Sequence, residues 1–240
     1  PASPPPRKGL MRSSLITGSM TMLSRVLGLV RDLVLAHVMG AGGAADAFFL
    51  AFKIPNFFRR LFSEGAFSQA FVPVLSEYRE KGTHAAVQTL VSRVAACLGT
   101  VLLLVVTLGV VGAPVVATLF ASGFMQDAEK FSLLVDLIRI TFPYLLLISL
   151  TGFAGAVLNS YDRFAIPAFT PVLLNICMIL AAVFAAPWFS NPAYALAWGV
   201  LTAGVLSFMF QLPFLARIHL LPRPQLNWQD PGVKRILTLM

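Results

Sequence analysis

Eight charged side chains crowd into an otherwise apolar stretch between Arg25 and Glu64. Five are basic (Arg25, Arg31, Lys53, Arg59, Arg60) and three acidic (Asp32, Asp46, Glu64), so the surplus is cationic. Ser14, Thr17, Thr21, Ser24, Gly28 and Arg31 recur at spacings of three and four, which places them on one stripe of a helix. Gly18, Arg25 and Asp32 repeat every seven residues beside it. Further on, Asp46, Lys53, Asn56, Arg60 and Ser63 form a second stripe. Arg59 lies about 100° off that stripe. Glu64 stands four residues after Arg60, the spacing of an intrahelical ion pair with a structural role. Guanidinium groups bind phosphate oxygens through two parallel hydrogen bonds, so the chemistry on offer is the holding of a phosphate or pyrophosphate. Two plainer readings compete: small residues let helices pack closely, and an arginine near a helix end, such as Arg31, snorkels to the interface. Neither accounts for five basic residues, because an arginine at the centre of a bilayer costs about 2.5–3.5 kcal/mol.

No catalytic constellation competes with this reading. The chain has no Gly-rich phosphate loop, no nucleophile elbow and no metal-ligand cluster. His37, His84 and His219 are scattered, and Cys97 and Cys177 sit singly in apolar runs, so neither a metal site, a disulfide nor a cofactor is expected. A formal charge of +8 in a soluble chain would raise nucleic-acid binding. No basic cluster with interleaved aromatics is present, and no nucleic-acid partner is expected.

The elements that must position these charges follow from composition. Of 240 residues, 58% are hydrophobic and only 12% charged, against about 25% charged in a soluble domain. Mean hydropathy is +0.81. These values exclude disorder and an ordinary soluble domain, and they leave an all-α, polytopic transmembrane bundle. Charge-free gaps locate four conventional spans near 85–120, 129–160, 164–187 and 192–216, with Pro187, Asn191 and Pro192 marking the last turn. Gly40, Gly42 and Gly43 divide the charged region into two more helices, 13–38 and 45–79, and Pro55 permits a kink in the second. Six spans result, occupying 13–217. Residues 1–12 read as a Pro-rich, disordered or tag-like tail, and 218–240 as a polar loop followed by the start of another helix, so the chain reads as a piece of a longer protein. The first apolar stretch contains Arg25, Arg31 and Asp32 and does not read as a cleavable signal peptide. With alternating spans, ten loop Lys/Arg (Arg79 and Arg163 among them) fall on one side and only Lys130 on the other. That asymmetry puts the N-terminus in the cytoplasm.

The stretch from SRVLGLVRD through the Gly-rich turn with ADAF to PNFFRRLFSEGAFSQAFVP resembles the opening of the MurJ/MviN family of lipid II flippases. TFPYLLLISLTGFAGAVLNSYDRFAIPAFTPVLLN is similar to a later part of the same family, and the likeness extends over nearly all of residues 11–240. Family members are about twice as long, with roughly fourteen helices, in the superfamily of multidrug and polysaccharide exporters. The resemblance implies one six-helix lobe of a two-lobe flippase in the bacterial cytoplasmic (inner) membrane, packed against a C-terminal lobe outside this sequence. Between the lobes, it implies, a cationic cavity receives the undecaprenyl pyrophosphate and sugars of lipid II. Membrane lipids and the second lobe are the other partners so implied. Carried over position by position, the functional arginines fall on Arg25, Arg31 and Arg59, with Ser24, Asp46, Lys53, Asn56, Arg60 and Glu64 in the same motifs. The stripes group Arg60 with Lys53, whereas the resemblance favours Arg59, and both stay as candidates.

The reading is therefore a transporter, not an enzyme, moving lipid II from the inner to the outer leaflet by alternating access. A flippase for another polyprenyl-pyrophosphate-linked glycan would show the same pyrophosphate chemistry. An enzyme of lipid-linked sugars would need paired carboxylates or metal ligands near the membrane surface, and none stands out. A non-transporting scaffold of cell-wall assembly would explain packing faces but not the basic residues. Orientation is directly testable. In a background lacking Cys97 and Cys177, single cysteines at Gly42 and Lys81 should react with an impermeant maleimide from opposite sides of the membrane. Labelling of both from one side ends the six-span topology.

Overall fold

The computed structural model of the protein describes residues 7–40, 42–60, 66–223 and 225–239. Every regular element among these is helical. Helix α1 (Arg7–Met39) begins inside the segment read as a tail, while residues 1–6 lie outside the described residues. It stops at Gly40, whose φ of +64° suits a residue without Cβ and whose N–H donates to the Ala36 carbonyl at 3.0 Å. The expected helix over 45–79 is present as two, α2 (Gly43–Arg59) and α3 (Ala66–Lys81). Glu64 and Ser63 lie outside the described residues.

Thr83 starts α4 (His84–Val111) by accepting from the Ala86 N–H at 3.3 Å. Gly112 separates α4 from α5 (Ala113–Phe120), so the expected 85–120 segment is also a pair. Asp127 caps α6 (Ala128–Thr141), and Pro143 divides it from α7 (Tyr144–Ser160). Helix α8 (Ala165–Leu180) continues through a π turn (Ala181–Ala185) and a 3-10 turn (Ala186–Trp188). Asn191 caps α9 (Pro192–Arg217), whose first residue is a proline with no N–H to leave unsatisfied. After the polar loop comes α10 (Pro231–Leu239). Among the described residues, four helical stretches are long and apolar enough to cross a membrane: His84–Val111, Ala128–Ser160, Ala165–Trp188 and Pro192–Arg217.

Two apolar clusters hold the bundle together. One gathers α2, α5, α6 and the adjoining ends of α1, α4, α7, α8 and α9 around Phe48, Leu134, Phe142 and Leu196. The other joins α3 and α10 to the opposite ends of α4, α7 and α9 around Phe71, Leu90, Val157 and Leu215. Because α2 belongs to one cluster and α3 to the other, the pair covers the distance along the bundle that a single long helix would. Polar bonds reinforce the joints. The buried Thr141 hydroxyl donates to the Ala51 carbonyl at 3.0 Å, tying α6 to α2. Asp230, itself buried, pairs with Arg93 and accepts from the Gly232 and Val233 N–H groups, and Arg235 reaches Glu77 at 2.6 Å. The segment after Arg217 is thereby folded back onto α3 and α4.

Close approach is most severe at Gly109, where an added Cβ would fall 2.0 Å from the Phe142 ring. Gly99, on the same helix, has no atom within 4 Å of such a position. Gly109→Ala is therefore expected to destabilise the bundle by about 1–3 kcal/mol through overpacking, while Gly99→Ala leaves stability the same or slightly higher. Denaturant titration in detergent, followed by circular dichroism, separates the two.

Candidate functional site

Asn175 fixes the depth of the site. It lies on α8, ten residues after Ala165 and thirteen before Trp188, near the middle of an apolar span. Its side-chain oxygen accepts from Arg31 Nη1 at 3.0 Å. Arg31 is thus held about 15 Å from one end of that span and about 20 Å from the other. Its Nε and Nη2 both donate to Asp32 Oδ1, at 2.9 and 2.7 Å.

Arg31, Lys53, Asn56 and Arg60 line one cavity of about 500 Å³, together with aromatic rings from α2 (Phe48, Phe49, Phe52 and Phe57). Three cations face this space, and among the described residues none of its lining is a carboxylate. Arg59 lines a second, larger cavity of about 820 Å³ between α2, α3, α7, α8 and α9. There its neighbours are amides and hydroxyls: Asn56, Ser68, Ser76, Thr151, Thr170 and Gln211. Helical geometry explains the division. Lys53 and Arg60 are seven residues apart and share a face, Arg59 is turned about 100° from Arg60, and Asn56 falls between the two directions. Asn56 accordingly borders both cavities, with its Nδ2 donating to the Phe52 carbonyl at 2.9 Å. The two groupings, Arg60 with Lys53 and Arg59 apart, occupy adjoining faces of α2 with Asn56 between them.

The remaining candidates are placed elsewhere. Asp46 lines neither cavity; it pairs with Lys130 at 2.9 Å, and the Lys130 ammonium also sits 4.0 Å from the centre of the Phe124 ring. That ion pair ties the start of α2 to the start of α6 and accounts for Asp46 without a ligand. Arg25 is exposed on α1, six residues before Arg31, and lines neither cavity. Ser24 takes part through its backbone, whose carbonyl accepts from Asn175 Nδ2 at 2.9 Å. Glu64 lies outside the described residues.

Arg79, expected in a loop, stands in the last turn of α3 instead. It donates to the Ser160 carbonyl, stacks over the Tyr161 ring at 4.9 Å and lines the larger cavity. Inspection of the stripes passes over Asn175, Thr170 and Gln211. Each is buried, and Gln211 Nε2 donates to Thr170 Oγ1 at 3.0 Å. Their signal in the sequence is slight, a single polar residue within an apolar run such as LLNIC or FMFQLPF. Among the described residues, no group of three or more His, Cys, Asp or Glu could hold a metal ion.

Comparison with known proteins matches this arrangement to one family. The family model "Lipid II flippase MurJ" matches residues 35–240. A "Probable lipid II flippase MurJ" from Vibrio cholerae serotype O1 is 48% identical over 97% of this chain and 46% of the relative. Another of the same name, from Haemophilus influenzae, is 50% identical over 92% of this chain and 45% of the relative. A solved structure, "Lipid II flippase MurJ, inward closed conformation", superposes with a TM-score of 0.76 at 27% identity, covering 94% of this chain and 46% of that one. The chain spans about half the length of the relatives it matches. On these grounds the chain belongs to the MurJ lipid II flippase family.

Proposed function

We propose that this chain forms the N-terminal lobe of a flippase that carries lipid II from the inner to the outer leaflet of a bacterial cytoplasmic membrane. One observation carries the reading: Arg31, held level with the middle of α8, shares a single cavity with Lys53 and Arg60, and among the described residues its lining holds no carboxylate. Cations so placed are unfavourable unless water, a fixed acceptor or an anion compensates them. The pyrophosphate of a lipid-linked precursor supplies that anion. The larger cavity, with its amides and hydroxyls around Arg59, offers hydrogen bonds to the sugar units that follow the pyrophosphate. The named relatives support the choice of lipid II over other polyprenyl-pyrophosphate glycans.

Transport follows from the same electrostatics. While the pyrophosphate is bound, the cavity cations and the anion neutralise one another, so the head group crosses the apolar zone without being bare of partners. Alternating access then requires two bundles to rock against each other around the site. This chain supplies one bundle and the second lobe the other.

In the full-length protein, Arg31→Ala or Arg59→Ala should abolish lipid II translocation with membrane abundance near normal, and Arg25→Ala is expected to do the same. Lysine at these positions should restore only part of the rate, because the two-pronged fork is lost. Arg163→Ala, in the turn between α7 and α8, should be tolerated. A leaflet-accessibility assay for lipid II in a depleted and complemented strain reads all of these. Tolerance of alanine at Arg31 and Arg59, equal to that at Arg163, would refute the cavity. The 240-residue chain alone should fail to complement, whereas co-expression with the second half should restore growth; rescue by the chain alone at similar abundance points to a self-assembling dimer.

A further inference from the structure

We infer that Asn175 is a positioning residue, which aims the Arg31 guanidinium at a phosphate and couples it to α8. The inference rests on the proposed pyrophosphate cavity and assigns a part in it to a residue outside the charged stripes.

The geometry fixes the orientation of the Asn175 amide without ambiguity. Arginine can only donate and a backbone carbonyl can only accept. The atom facing Arg31 Nη1 must therefore be the side-chain oxygen, and the atom facing the Ser24 carbonyl must be the nitrogen. Asn175 is 5% exposed, so little water reaches its side chain. Ser24, Gly28 and Arg31 share one face of α1, and the middle residue leaves room: a Cβ at Gly28 would stand 3.7 Å from Asn175 Nδ2. A longer side chain there would displace the amide.

A count of donors shows what the bridge does. A guanidinium has five N–H groups. Arg31 spends two on Asp32 Oδ1, through Nε and Nη2, and one on Asn175, through Nη1. Two remain, one on each terminal nitrogen, free to donate to phosphate oxygens. Asp32 is the next residue on the same helix and cannot by itself hold the guanidinium against the rest of the bundle. Asn175 comes from α8 and does so. It also ties α8 to α1 through the Ser24 carbonyl, so movement of α1 against α8 would reorient the guanidinium.

The test is a double-mutant cycle in the full-length protein in detergent, using undecaprenyl pyrophosphate and undecaprenyl monophosphate as probes and native mass spectrometry as the readout. Asn175→Ala should weaken undecaprenyl pyrophosphate about tenfold and reduce its advantage over the monophosphate. In an Arg31→Ala background the same change should have no further effect, and in an Asn175→Ala background Arg31→Lys should bind as well as Arg31. Asn175→Leu, which keeps the volume of the side chain, must reproduce the cycle if loss of packing makes the alanine variant unstable. A purely structural Asn175 would instead weaken both probes alike and to the same extent with or without Arg31. That additive result, or an unchanged affinity in Asn175→Ala and Asn175→Leu, overturns the inference alone, provided Arg31→Ala binds weakly. If Arg31→Ala binds undecaprenyl pyrophosphate as the unaltered protein does, the cavity reading falls and this inference with it.

Discussion

A guanidinium in the middle of an apolar span has to be held by protein, because lipid offers it neither an acceptor nor a counter-charge. The contact between Arg31 and Asn175 meets that requirement here, and the position of α1 depends on it. This helix packs along α8 and exposes much of its remaining surface, including Leu15, Met22, Leu29 and Leu33. Near its end Leu35 is buried in the core, which anchors one face of the helix. The Arg31–Asn175–Ser24 bridge adds a directional contact one turn earlier, and the two together set which face of α1 is turned toward the cavity.

Helix α2 is held differently. Its inner face is buried, with Ala47, Phe48, Ala51 and Ile54 nearly inaccessible, and α6 grips it through the Thr141–Ala51 bond and the Lys130–Asp46 pair. The pair is partly exposed and contributes at most about 1 kcal/mol; its value is to fix the start of the helix. With one face buried and one end fixed, the opposite face must present Lys53 and Arg60 to one side and Arg59 to the other. The cationic site is thus a platform of one rigid helix, α2, and one helix set by a polar bridge, α1.

The helical content and the cationic surplus were legible because both depend on local properties. A period of 3.6 residues places Ser24, Gly28 and Arg31 on one face whatever surrounds them, and turns Arg59 away from Lys53 and Arg60 in the same manner. The interruptions were partly legible. Gly40 ends α1 where the glycine run predicts a break, and Asn191 with Pro192 starts α9 as expected. The divisions at Gly112 and Pro143 were less so, because apolar composition continues across them and hydropathy does not register a bend.

Which faces meet is another matter. Asn175 is 144 residues from Arg31, and nothing in an apolar run reveals that its amide will find a guanidinium. Asp46 looked like a member of the cationic stripe by spacing, yet its partner is Lys130, 84 residues away at the opposite end of α2 from Arg59. Arg79 looked like a loop charge and is built into α3 against Ser160 and Tyr161. The sequence alone determined that this is a bundle of membrane-crossing helices bearing a stripe of misplaced positive charge, because hydropathy, periodicity and charge are properties of the residues themselves. Only the tertiary structure decided that Arg31, Lys53 and Arg60 share one cavity and Arg59 another, because lipid-facing and protein-facing apolar surfaces are alike in composition and only packing tells them apart.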